Sequence, residues 1–563
     1  MRHTLTLFSA FAIAALHAQP FNWQWAVRDT ATLGTPDMHG FATDALGNSY
    51  VAGSFYGSVS FGGLPAITSV GQSDAFVVKY DNQGVALWSV RAGGADFDEP
   101  LALAIDSAGG IFITGYYQSA TTAFGTTTLS LTGAMDIFVA KLSASDGAWL
   151  WAKRYGSNDF QSGHVEWGKA VACDADGNAY VSGCFKYSLA VPGLTQLDGC
   201  SQYYNSFLMK LDPDGNGIWS RRPDCGHQWI YSASEGQQLT VGHDGMLYAG
   251  YRIRGDTIFY ETDTLLNSWS AAGTHEGVVA KYDLDGNYHW SRVIGGYGYD
   301  DVQALAADAE GHVYIAMHRE QQYNLGLVGI DVSGNLGIYR NVILKTDADG
   351  NFLWGTRLGN STYDHDIEAM RLESAETLLV GGWHQGNFEI GGITPNPGVG
   401  GSYGYYLARF DSSSALIDLM AQRYTYSRRV LGLGLDEGGN IYIGGAFQDS
   451  LHLPGLAPMG LANASSGAMF LARSGDFPTT MTSSALTTDV SLFPMPSNGT
   501  FTLASAEAFS ALRIVDAQGR VVLKESFPPR QQQSVEVRAR GFLLCEILHA
   551  DGRTSRIRVV VER

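Results

Sequence analysis

The chain has 563 residues with 69 glycines, 12% aromatic and only 16% charged residues, the balance of a turn-rich β protein rather than a helical one. Its formal net charge of −19 disfavours nucleic acid and anionic membrane surfaces as partners. Five cysteines in so long a chain exclude a disulfide framework as the basis of the fold.

Residues 1–18 combine a short basic start, Arg2 and His3, with an apolar run from Leu5 to Leu16. A membrane span needs about 20 apolar residues, so this run predicts a secretory signal, and no later stretch is long enough to cross a bilayer. Phe21 to Arg28, FNWQWAVR, then reads as one isolated strand. From Asp44 a hairpin pattern begins that returns at Asp106, Asp174, Gly242, Asp308, Glu373 and Asp436, in steps of 62 to 68 residues. Each copy joins an Asp/Gly/Asn turn to an alternating run such as Tyr180, Val181, Ser182, which predicts a half-buried strand after a tight turn. A second motif follows each hairpin, as in KYDNQGVALW from Lys79 and KLDPDGNGIW from Lys210, and ends on a strand carrying Trp88, Trp151, Trp219, Trp290 or Trp354. The sixth unit departs most, with SAET for its glycine turn and no tryptophan. Four strands per unit and seven units predict an all-β, seven-bladed β-propeller over residues 19–474. The seventh unit lacks its last strand, and Phe21 to Arg28 has the character of the missing piece, so the N-terminal strand is expected to close the ring.

Several motifs carry candidate chemistry beside a framework role. Aspartate pairs in the turns, such as Asp174 and Asp176, suggest calcium, but a calcium loop takes about 12 residues; the tight-turn reading is preferred, no cofactor is expected, and calcium stays as the alternative. GxSxG around Ser402 lacks the strand-to-helix context of a nucleophile elbow and reads as a loop. Acids recur seven or eight residues ahead of the hairpins at Asp98, Glu166, Glu235, Asp300 and Asp366. They are expected either to form a carboxylate ring at a channel mouth, able to bind a cation or hydrolyse a glycoside, or to brace their own crossovers; the bracing role is preferred. The same face is expected to gather aromatics, and Tyr116, Tyr203, Trp229, Tyr297, Trp383 and Tyr405 are the candidates for stacking on a ligand. Cys173 and Cys184 should sit at opposite ends of adjacent strands; Cys200 with Cys225 is the expected bridge if one forms, with Cys184 and Cys200 next.

The pattern DxxGNxYxxG followed by FVxKxDxxGxxxW resembles β-propeller repeat proteins exported by bacteria. After a Thr/Ser-rich linker at 475–488, residues 489–563 carry short strands and turns at Asn498-Gly499, Gln518-Gly519 and Asp551-Gly552 that predict a small β-sandwich. This segment resembles the C-terminal sorting domain of the type IX secretion system, on Pro494, Pro496, Ser497, Asn498, Gly499 and Phe501, then Asp516, Gly519 and Arg520, then Gly541 and Phe542, with Met495 and Phe542 where that family usually has Asn and Tyr. The resemblance implies export to the cell surface or medium and the type IX machinery as a partner. The expected function is a monomeric binding or adhesion module for an extracellular glycan or protein. The alternatives are a polysaccharide-active propeller enzyme, glycosidase or lyase, and a structural envelope component.

Overall fold

The computed structural model describes residues 21–475 and 490–561, apart from 34–35, 158–164, 200–203, 227–233, 254–256, 262, 267–274, 296–299, 320–339, 360–364, 375, 387–388, 391–402, 425–427, 449, 462–466, 494–499, 517–520, 538–540 and 550–553. The expected signal and all but the first residue of the expected linker lie outside the described residues. The chain divides into two compact units, Met1–Phe477 and Pro478–Arg563.

The first unit contains seven antiparallel sheets built on four strands each. In the first, the strands run from the inside outward as Asp37–Thr43, Ser49–Phe55, Asp74–Tyr80 and Ala86–Gly93. The innermost strands of the other six are Asp98–Ile105, Trp167–Cys173, Ser234–Val241, Asp300–Ala307, His365–Ser374 and Arg428–Leu435. Each packs against the next, and the last packs against the first, so the seven blades form a closed ring. The seventh blade takes its outer strand from the N-terminus: Trp23–Leu33 pairs with Gly467–Ser474, from Trp23 opposite Ser474 to Arg28 opposite Phe470. Beyond Arg28 the same strand pairs with Ser58–Phe61, an insert of the first blade, so one segment holds both sides of the closure.

Two features depart from the sequence reading. The second strands are not half-buried: Ser49–Phe55 is buried along its whole length, as is the third strand Asp74–Tyr80. Each blade is covered on both faces by its neighbours, so both sides of the middle strands leave water. Nor are all the long inserts loops on one face. The second blade's insert forms the hairpin Thr121–Phe124 and Thr127–Ser130, which extends the outer edge of the first blade's sheet. An edge that would expose unpaired backbone groups is thereby covered.

The tryptophan strands form a set of latches between blades. Each indole N–H donates to a turn carbonyl of the following blade: Trp25 to Asn82 at 3.0 Å, Trp88 to Ala144 at 3.3 Å, Trp151 to Pro213 at 3.0 Å, Trp219 to Leu284 at 3.3 Å, Trp290 to Ala348 at 2.9 Å and Trp354 to Ser412 at 2.9 Å. The turn glycine explains itself at this seam. Gly215 has φ +75°, and a Cβ there would lie 2.7 Å from the Trp151 ring, so the position demands glycine for both backbone and space. The sixth blade has no such latch. Asp418 stands at the tryptophan position opposite Arg409, whose guanidinium is held by Glu373 at 2.8 Å and lies 4.9 Å over the Phe21 ring.

The second unit is one continuous five-stranded sheet of Val490–Phe493, Thr500–Asp516, Val521–Glu536, Gly541–His549 and Thr554–Val561. Bulges between Ala504, Phe509 and Ala511 bend the central strand, and the first and last strands come together. The bent sheet encloses a core that includes Phe501, Phe509, Leu512, Ile514, Val535 and Ile547. Its sandwich character therefore comes from one folded sheet.

Candidate functional site

Every innermost strand carries a register shift at the same place, five residues ahead of its hairpin. The extra residues are His39, Leu101, Lys169, Gln237, Gln303, Glu368 and Leu431. A bulge re-aims a side chain without ending the strand. A cavity of about 930 Å³ is lined by His39, Leu101, Lys169, Gln238, Gln303, Glu368, Arg429 and Leu431 among others, so all seven blades contribute to it. These residues sit near the start of their strands, which places the cavity at the mouth where the crossovers enter.

The acids singled out in the sequence separate into two groups. Asp98 is buried; its carboxylate accepts from Gly94 N at 2.6 Å, Ser119 Oγ at 2.7 Å and Thr122 Oγ1 at 2.8 Å, and its own N–H donates to Ser73. Burial raises its pKa, against the pull of those donors. Glu166 is also buried, with its N–H on Met135, and burial, followed by the neighbouring Asp136, pushes its carboxyl up to about 9. Asp300 is buried with its N–H on His275. These three are buried with their N–H groups on carbonyls of the preceding blade, the geometry of the bracing role, which corrects the alternative of an open carboxylate ring at these positions. Asp366 differs. It is half-buried, lies 3.4 Å from His318 Nδ1, and stands two residues before Glu368 of the mouth. Asp366 acts through its charge on Glu368 of the cavity wall; the side chain of Glu235 lies outside the described residues.

Of the aromatic candidates, Tyr203, Trp229 and Tyr297 lie outside the described residues. Tyr405 is a correction, because it is fully buried and its hydroxyl donates to the His452 carbonyl at 2.7 Å, which makes it core between the last two blades. Tyr116 is half-buried and hydrogen-bonds Glu99. Trp383 adjoins Arg429 of the cavity wall, with its ring 5.7 Å from that guanidinium and 6.1 Å from Tyr403. Arg429 in turn lies 3.7 Å from Glu368. Burial, then Asp366, pushes the Glu368 carboxyl up to about 7, with Arg429 and a hydrogen bond from Trp383 opposing. His318 is raised despite the cost of burial, because Asp366 accepts its hydrogen bond.

The turn aspartates are spent on their own turns. Asp174 Oδ1 accepts from the Asp176 and Asn178 N–H groups at 3.0 and 2.9 Å, while Oδ2 accepts from Asn178 Nδ2 and Tyr180 Oη, both at 2.9 Å. The same geometry recurs at Asp44. Asp308, Glu310 and His312 group their polar atoms within 4.8 Å on one such turn. Cys173 is opposite Ala179 and Cys184 opposite Trp167, at far ends of their strand pair. Cys200 and the Cys225 side chain lie outside the described residues, as does Ser402; the segment after it, Tyr403–Asp411, is a strand rather than the helix of a nucleophile elbow. In the second unit, Pro494, Pro496, Ser497, Asn498, Gly499, Gly519 and Arg520 lie outside the described residues; Gly541 opens a strand opposite Val561, and Phe501 is core.

The mouth residues His39, Lys169, Gln303 and Glu368, together with Arg429, escaped the sequence reading. The first four share an offset of five residues from each hairpin, while Arg429 stands seven ahead of Asp436, and only the bulge tells that the shared offset faces the channel.

Comparison with known proteins adds the following. A regulatory protein, FlaEY, of Caulobacter vibrioides is 27% identical over 311 residues, 52% of this chain and 31% of that protein. An uncharacterized WD repeat-containing protein of Acanthamoeba polyphaga mimivirus is 33% identical over 102 residues, 17% of this chain and 7% of that protein. The matches thus span about a third of one relative and less than a tenth of the other. Among solved structures, BamB from Moraxella catarrhalis aligns over 80% of this chain and 99% of its own at 12% identity and a TM-score of 0.33. Quinohemoprotein alcohol dehydrogenase from Comamonas testosteroni aligns over 84% and 80% at 11% identity and a TM-score of 0.36. Residues 491–562 match the family described as "Secretion system C-terminal sorting domain". Such a domain indicates export by the type IX secretion system to the cell surface or the extracellular space. The C-terminal unit accordingly belongs to the secretion-system sorting-domain family, and the unit ahead of it is a seven-bladed β-propeller.

Proposed function

We propose that the propeller is an exported binding module that takes its ligand at the crossover-side mouth. The observation that carries this reading is the contrast inside the repeat. Turn aspartates and latch tryptophans recur from blade to blade, as a framework requires, whereas the bulged positions that line the cavity are His39, Leu101, Lys169, Gln303, Glu368 and Leu431. A repeat that keeps its scaffold and varies one ring at its axis has the arrangement of a site shaped for one asymmetric ligand. The sorting domain supplies delivery, and the ligand meets the protein outside the cell.

The test uses the purified full chain, screened against polysaccharides and matrix proteins with and without calcium, scoring both retention and product release. A triple variant, His39→Ala, Lys169→Ala and Gln303→Ala, is run beside it. Retention that the variant loses supports a binder at the mouth. Retention that the variant keeps places the site elsewhere, and product release replaces the module with an enzyme.

A further inference from the structure

The mouth is not uniform around its circumference. Arg429, at the entry of the seventh blade's inner strand, is 51% exposed, while its partner Glu368 is 20% exposed. The guanidinium rests on the Trp383 ring, and Trp383 is itself fixed by a hydrogen bond to Glu368 and by Tyr403. Stacking on an indole and a contact at 3.7 Å to one carboxylate hold the planar fork in place while leaving half of its surface open to the cavity. A pinned guanidinium fork matches a carboxylate in shape and charge. Around it the wall offers Lys169 as a second cation and the amides of Gln238 and Gln303, each able to donate and accept.

We propose that this corner receives an acidic sugar of a polysaccharide, with the sugar carboxylate on Arg429 and its hydroxyls on the amides and Glu368. The proposal rests on reading the mouth as the binding site. An acidic sugar presents one carboxylate on a ring of hydroxyls, which pairs with one fork set among amides. An acidic peptide would bring the carboxylate without the hydroxyls, and only its main-chain N–H and C=O groups would be left to meet the amides.

Glu368 and the sugar compete for Arg429. Lowering the pH through about 7 neutralises Glu368 and frees the fork, while a sugar carboxylate stays ionised. The other charges acting on Glu368 are Asp366, which faces His318, and Asp37, and the cavity wall adds His39 and Lys169.

The experiment is titration calorimetry of the full chain with galacturonate oligomers and with the matching galactose oligomers, between pH 6 and 8. Uronate oligomers should bind and tighten as pH falls; the neutral oligomers should bind at least about tenfold more weakly. Arg429→Lys, which keeps the charge and loses the fork, should weaken uronate binding about tenfold. Glu368→Gln should tighten binding at pH 8 and remove the pH slope. Equal binding of the two oligomers, no binding of uronate, or a slope that survives Glu368→Gln overturns the proposal. If uronates fail while another ligand is lost from the His39, Lys169 and Gln303 variant, the mouth remains the site and only the acidic-sugar assignment falls; if nothing bound depends on those residues, both readings fall.

Discussion

The two ends of the propeller are built on opposite rules. At the turn end, Asp174, Gly215 and Trp151 have counterparts in most blades, and each makes the bond its counterparts make. On the inner strands, the seven bulged positions share a backbone geometry but range from cation to carboxylate to amide to leucine. Repetition therefore marks what holds the ring, and variation at a fixed geometry marks what the ring presents. The same difference separates Asp98, buried and hydrogen-bonded within its crossover, from Asp366, half-buried beside the mouth.

Breaking the framework should cost far more stability than altering the mouth. Removing residues 21–33 deletes the strand that pairs with both Gly467–Ser474 and Ser58–Phe61; it should abolish cooperative melting, and a deletion that melts like the intact chain would refute ring closure. Next, Trp151→Ala removes a latch and its ring contact with Gly215, with an expected loss of about 3 kcal/mol in a denaturant titration. By contrast, Leu101→Gln or Gln303→Ala at the mouth should stay within about 0.5 kcal/mol of the parent.

A pH titration sharpens the contrast further. The Glu166 carboxyl is raised to about 9 in the folded protein from 4.5, so the folded state holds this proton more tightly than the unfolded chain does. Its contribution is fully present below about pH 4.5 and is lost as pH rises through about 9. The melting temperature should fall over that window, and Glu166→Gln should flatten the fall. The smallest effect concerns the sixth unit, where Ser414 occupies the turn-glycine position at φ 74°. Ser414→Gly should relieve left-handed strain worth about 1 kcal/mol, partly offset by the freer unfolded chain, and a melting temperature that drops instead would show that the serine earns its place by packing.

Much of this architecture is legible in the sequence. The hairpin spacing, the tryptophan strands and the orphan strand Phe21 to Arg28 led directly to seven blades and to closure, because tight turns and two-residue alternation are local properties that sequence records. The sorting domain was legible for a similar reason, as an ordered motif at the end of the chain. The candidate site was legible only in part. Trp383 and Asp366 contact Arg429 and Glu368 of the cavity wall, whereas Tyr405, from the same sequence pattern, is core.

What sequence determined was the repeat: strand, turn, strand and latch, each set by residues within a few positions of one another. What the tertiary structure decided was facing. A bulge of one residue rotates His39, Lys169 and Glu368 toward the axis, and the packing of one blade on the next buries Glu166 and Asp300 while leaving Arg429 half open. Glu166 meets Met135 and Asp136, Asp300 meets His275 and Arg429 meets Glu368, each on the preceding blade, and no local pattern carries such a contact.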